Sequence, residues 1–113
     1  MPDEMEFGKI FFMSSIKQMD NLDLPLSVDR LSKILRNHGV IKAFVFGSFA
    51  RGEQTPNSDL DLFIQCRSGA SLFDVFDLQV DLEQQSGLTV DLVTKINPHF
   101  LEYIEPELIE INL

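Results

Sequence analysis

Acidic side chains seldom interrupt an apolar strand unless something there binds them, yet residues 59–66 read Asp-Leu-Asp-Leu-Phe-Ile-Gln-Cys. The alternation predicts a β-strand with Leu60, Leu62 and Ile64 on one face and Asp59, Asp61 and Phe63 on the other. Immediately upstream, "IKAFVF" (41–46) is almost wholly apolar and rich in β-formers, which predicts a central strand. Between the two lie a Gly47–Gly52 turn, with room for one helical turn at Ser48–Arg51, and a polar loop over 53–58. The fold must therefore bury two strands while leaving a pair of carboxylates at the end of one of them.

The remaining elements follow from periodicity and punctuation. Ser27 is an N-cap for a helix carrying Val28, Leu31, Ile34, Leu35 and His38 at helical spacing, with Gly39 closing it. Ser71 and Asp74 form a capping-box pattern that opens a helix to about Ser86, ended by Gly87. Two apolar stripes run along that helix, Val75, Leu78 and Leu82 on one side and Leu72, Phe73, Phe76 and Val80 on another. A surface that wide predicts burial between the sheet and the first helix, or else a face for a partner. "TVDLVT" (89–94) predicts a third strand with Val90 and Leu92 facing one way and Asp91 the other. Asn97-Pro98 starts a short helix to about Ile104, Pro106 stops it, and residues 108–113 alternate as a short edge strand. Alternation of helices and strands predicts an α/β (α+β) chain, a small mixed sheet with helices packed against it.

Bulk properties narrow the function. With 113 residues, 44% of them hydrophobic, the chain is expected to form one domain over 1–113, a core over 27–113 preceded by an extension over 1–26. A net charge of −9 argues against direct nucleic-acid binding, which leaves a basic footprint. Cys66, the sole cysteine, cannot form an internal disulfide and is expected to be a small buried residue at a strand end. The early apolar stretch "KIFFMSSI" follows Asp3, Glu4 and Glu6, where a secretory signal wants positive charge. No stretch approaches the roughly 20 apolar residues that span a bilayer. A cytoplasmic protein is expected, with no membrane association.

If the second and third strands are neighbours, Asp59, Asp61 and Asp91 converge. At about 5 Å and an effective dielectric of about 20, each pair repels by roughly 3 kcal/mol. Three such pairs would approach the whole stability of a small domain, about 5–15 kcal/mol. Water on an open sheet face could satisfy one such aspartate; for three in register with a Gly-Ser turn, bound cations are the better account. An all-oxygen set favours Mg²⁺ or Mn²⁺ over zinc. On the other side, a strand ending in Gly47-Ser48 and entering a helical turn offers backbone N–H groups and a hydroxyl to an anion. Gly47 lets a phosphate come close, and Arg51 adds a fixed positive charge.

The stretch "GSFARGEQTPNSDLDLFI" resembles the nucleotidyltransferase signature of the DNA polymerase beta superfamily: Gly-Ser, Arg-Gly, Ser-Asp-x-Asp, then an aspartate on a later strand. Over residues 27–113 the spacing looks most like the minimal nucleotidyltransferases, often called MNT or MntA-type antitoxins, and implies their polymerase-beta-like fold. The resemblance implies that Asp59 and Asp61 bind two Mg²⁺ ions and that Asp91 binds the one activating the attacking hydroxyl. It assigns the triphosphate of ATP to Gly47 and Ser48, with Arg51 and Ser58 in support. His38 and His99 are not required; His38 is expected to complement a helix C-terminus and His99 to lie on the surface. The resemblance further implies transfer of AMP to a hydroxyl on a helical HEPN-domain partner, in a homo- or hetero-oligomer. A binding module that blocks its partner by contact alone, and a small-molecule nucleotidyltransferase, are the competing readings.

Overall fold

A five-stranded mixed sheet organises the computed structural model, which describes residues 17–18 and 24–113; the rest of the expected N-terminal extension lies outside the described residues. Its strands are β1 (Lys17–Gln18), β2 (Val40–Phe46), β3 (Leu60–Cys66), β4 (Val90–Val93) and β5 (Ile109–Glu110), in the order β1-β5-β2-β3-β4. The helices are α1 (Val28–Asn37), α2 (Ser48–Arg51), α3 (Leu72–Ser86) and α4 (Pro98–Ile104), the last continuing into a 3₁₀ turn over Glu105–Glu107. Among the described residues no helix is long and apolar enough to cross a membrane.

Local chemistry sets the helix starts as the sequence predicts. The Ser27 side chain accepts from the Arg30 N–H at 3.1 Å. Ser71 and Asp74 cap each other reciprocally, and Asn97 accepts from the His99 N–H at 2.9 Å with Pro98 behind it. Each cap satisfies a donor that the first turn leaves without an intrahelical acceptor. His38 sits at the C-cap of α1, where its Nε2 also lies 2.9 Å from Asp81 Oδ2 on α3. That contact ties the two helices together, a long-range role beyond the one expected of it.

β2 runs antiparallel to β3, and β3 parallel to β4 through the α3 crossover. Ala43, Val45, Leu60, Leu62, Ile64 and Val90 point to the face covered by α1 and α3, where Leu31, Leu35, Leu78 and Leu82 complete a buried cluster. Phe44, Phe46 and Phe63 point the other way and are buried with Ile96, Leu101, Ile104 and Leu108. The face that carries the carboxylates is therefore covered by α4 for part of its length and open only at the strand ends.

Three expectations need correction. α3 packs on both the sheet and α1, as expected, but with only one of its stripes: Leu78 and Leu82 are buried, while Leu72 and Phe73 stand more than four-fifths exposed and Phe76 is also exposed. The sheet and α1 occupy only one side of this helix, so its second apolar stripe meets water. The final strand is shorter than predicted and not an edge, because it sits between β1 and β2. Pairing with Lys17–Gln18 draws a part of the expected extension into the sheet. Cys66 is half-buried rather than buried, since β3 ends there.

The two faces of α3 predict opposite mutational costs. Leu78→Ala should lower unfolding free energy by about 2–5 kcal/mol through cavity formation. Phe73→Ser should change it by less than about 0.5 kcal/mol, as for an exposed site. Urea midpoints at unchanged slope measure both.

Candidate active site

The β-sheet register places the carboxylates. Asp61 pairs with Phe46 across the antiparallel ladder and with Asp91 across the parallel one. Neighbouring strands lie about 4.8 Å apart, so the Asp61 and Asp91 side chains leave the same face of the sheet side by side. The next row inward is Phe44, Phe63 and Val93, all apolar. Asp59 precedes β3 by one residue, on the side of Asp61, and is exposed. The acidic row thus begins where the aromatic cover stops.

Gly47 joins this row to α2. Its φ of 76° belongs to the region that glycine occupies without strain, and a Cβ there would overlap Asp61 Oδ2. The sequence reading gave this glycine to a phosphate; the structure shows that the Asp61 carboxylate already lies against it. Beyond it, the N–H groups of Ser48, Phe49 and Ala50 open α2 and have no intrahelical acceptor by construction.

A residue that the sequence reading missed stands opposite. Glu107 receives the Gly47 N–H on Oε1 at 3.4 Å and Arg51 Nη1 on Oε2 at 2.7 Å. Arg51 also donates from Nε to Glu53 Oε2 at 3.0 Å. The expected positive charge is therefore shared between two carboxylates, and hydrogen bonds to Glu107 and then Glu53 push its pKa up. Glu107 lies 60 residues from Gly47 and 56 from Arg51 along the chain, so no local spacing could have revealed it. Pro106 marked the end of a helix, with nothing to say where the next side chain would point.

Together these groups line a hollow of about 350 Å³ bounded by Gly47, Ser48, Arg51, Asp59, Asp61 and Glu107, with Phe46, Phe100, Tyr103 and Ile104 as its apolar wall. Asp91 stands beside it, next to Asp61, on the strand that ends the sheet. Ser58 is not brought in: its Oγ accepts from the Thr55 N–H at 2.8 Å and closes the turn ahead of Asp59. The donor chemistry fits a hard divalent cation, with the half-buried oxygens of Asp61 beside the exposed carboxylates of Asp59 and Asp91. Among the described residues, however, no set of three or more His, Cys, Asp or Glu side chains is already drawn together tightly enough to hold a metal.

Like-charge crowding has a measurable consequence. Burial, then the charges of Asp91 and Asp59, push the Asp61 carboxyl from its ordinary 3.8 up to about 6. The folded chain then holds this proton more tightly than the unfolded chain, so ionisation of Asp61 costs stability as pH rises from about 4 to about 6. Below that window the cost is absent; above it, it is constant. In EDTA, Asp61→Asn should match the parent near pH 4 and exceed it above pH 6 by about 1–2 kcal/mol, allowing for solvent screening of a half-exposed group. Urea unfolding across that range checks both the sign and the window.

Comparison with known proteins agrees with this geometry. Residues 28–113 match the nucleotidyltransferase domain family. A Methanocaldococcus jannaschii protein, described as a candidate protein adenylyltransferase, is 37% identical over 84 residues, covering 73% of this chain and 90% of the relative. A solved candidate minimal nucleotidyltransferase superposes with a TM-score of 0.64 at 34% identity, over 76% of this chain and 88% of that one. A toxin–antitoxin crystal structure with AMP-PNP gives a TM-score of 0.54 at 27% identity, over 60% of this chain and 56% of that one. With the motif, the sheet register and the matched residues in agreement, the chain belongs to the nucleotidyltransferase domain family, and within it to the minimal nucleotidyltransferases.

Proposed function

We propose that this chain transfers AMP from ATP to a hydroxyl of a partner protein, as the antitoxin of a toxin–antitoxin pair whose toxin is a helical HEPN-domain protein. The observation that carries the reading is the pairing of Asp61 with Asp91 beside a hollow that Asp61 lines together with the adjoining Gly47–Arg51 turn. Similarity to a candidate protein adenylyltransferase and to a toxin–antitoxin structure holding an ATP analogue supports it. The exposed stripe of Leu72, Phe73 and Phe76 offers apolar surface for a partner. A charge of −9 suits a basic one, drawn in by complementarity.

In this reading Asp59 and Asp61 hold two metal ions and Asp91 completes the set on the acceptor side. When bound, Mg²⁺ or Mn²⁺ would make the acceptor hydroxyl more acidic and take up charge on the departing pyrophosphate. The chain's own residues supply position and polarity. Ser48 and the first-turn N–H groups of α2 face the triphosphate, and Arg51 counters its charge. Glu107 now holds the Gly47 N–H and the Arg51 guanidinium, so a phosphate that takes these donors displaces an internal carboxylate. Asp61 must be ionised to serve as a ligand, and a bound cation would draw its raised pKa back down.

Incubation with ATP, Mg²⁺ and the partner, followed by mass spectrometry, should find the partner heavier by whole adenylyl groups. A partner bound and inhibited at unchanged mass would instead leave a contact-only antitoxin. Asp59→Asn and Asp61→Asn should each reduce transfer by at least about 100-fold, the upper end of what disturbing even a metal's outer partners costs. Asp91→Asn should lower turnover more than ATP affinity. In calorimetry, ATP binding should vanish in EDTA. Glu107→Gln should tighten it several-fold, since the neutral amide competes less well than a carboxylate for the Gly47 N–H and the Arg51 guanidinium; weaker binding would make Glu107 a support for Arg51 instead.

A further inference from the structure

Two aromatic rings on α4 stand at the mouth of the hollow in an exposure unusual for their size. Tyr103 is 81% exposed and Phe100 47%. Three residues apart on one helix, they share a face. Phe100 rests edge-on against Phe46, with ring centroids 6.3 Å apart and planes at 81°. Phe46 is itself buried at the end of β2, so Phe100 is anchored to the core while Tyr103 extends into solvent. Both line the same hollow as the Gly47–Arg51 turn and the Asp59–Asp61 pair.

The lining is divided by chemistry. Ser48, Arg51, Asp59, Asp61 and Glu107 are the charged and hydrogen-bonding side chains of its polar side, while the α4 side is ring and aliphatic surface capped by one phenol. A ligand matching both sides has a polyanionic head, a cation to reconcile it with the carboxylates, and a flat apolar body. We propose that Tyr103, with Phe100 beside it, forms the stacking platform for the base of a nucleoside triphosphate, so that the base is held by its face and not read at its edges. This rests on the nucleotide reading above and extends it to the base and its selectivity. Stacking suits a strongly acidic chain, because it does not depend on the sign of the local charge. Every base has a π-face, so the platform discriminates little between one base and another.

Calorimetry in Mg²⁺ with ATP, GTP and inorganic tripolyphosphate separates the two halves of the site. Tyr103→Ala leaves the core untouched, since the ring is mostly in solvent. It should weaken ATP and GTP by about tenfold, within the range of a lost base–aromatic stack, and leave tripolyphosphate unchanged. Tyr103→Phe, which keeps the ring, should stay close to the parent for all three. Unchanged ATP affinity in Tyr103→Ala overturns the platform while leaving nucleotide binding intact. Equal weakening of ATP and tripolyphosphate overturns it too, by showing that Tyr103 acts through Arg51 and Glu107. If the parent binds neither ATP nor tripolyphosphate, the nucleotide reading fails and takes the platform with it.

Discussion

The parallel pairing of β3 with β4 sets Asp61 against Asp91, and the rest of the molecule is arranged around that crowded pair. Side by side on one sheet face, and with Asp59 close enough to act on the same carboxyl, its neighbours repel a charge on Asp61 that burial already disfavours. The fold tolerates them only because they lie at the end of the sheet. One row further in, the same face is occupied by Phe44, Phe63 and Val93 under α4, where a carboxylate would have neither water nor a partner. A protein selected for stability alone would put apolar residues at all of these positions. Keeping acids there is the kind of local cost that functional sites carry.

Around this pair the structure balances charge internally. Arg51 lies between Glu53 and Glu107, and Glu107 also accepts from the Gly47 backbone. The turn that would receive an anion thus already holds one of the chain's own, on the 3₁₀ segment that follows α4. α4, just upstream of that segment, carries the rings of Phe100 and Tyr103. A short, late piece of chain, Pro98–Glu107, therefore closes one side of the hollow with both an acidic group and an aromatic wall. The stretch that resembles the nucleotidyltransferase signature lies entirely elsewhere, from Gly47 to Ile64, with Asp91 further on.

Much of this is legible in the sequence. The helix starts at Ser27, Ser71 and Asn97 are local events, fixed by a side chain and a backbone N–H two or three residues apart. The strands around Phe44 and Leu62 declare themselves through period-two alternation and β-forming side chains. The aspartates stand out because carboxylates inside apolar runs are chemically anomalous. The double stripe on α3 was legible too, but pattern alone cannot say whether a second apolar face is covered by the chain itself or left to water. Only the packing shows that α1 and the sheet share one side of it.

What the sequence determined by itself was whatever depends on neighbours a few residues away: caps, strand faces, the Gly-Ser turn, and the identity of the three aspartates. The tertiary structure decided what depends on neighbours far along the chain. It put Asp61 in register with Asp91, seated Asp61 against Gly47 where no Cβ would fit, and kept Ser58 in its turn. It also carried Glu107 across to Gly47 and Arg51, and set β5 between β1 and β2. The division has a physical cause. Periodicity and capping are energies of adjacent residues and leave their mark in adjacent letters, whereas a register or a long-range hydrogen bond is selected by the packing of the whole sheet.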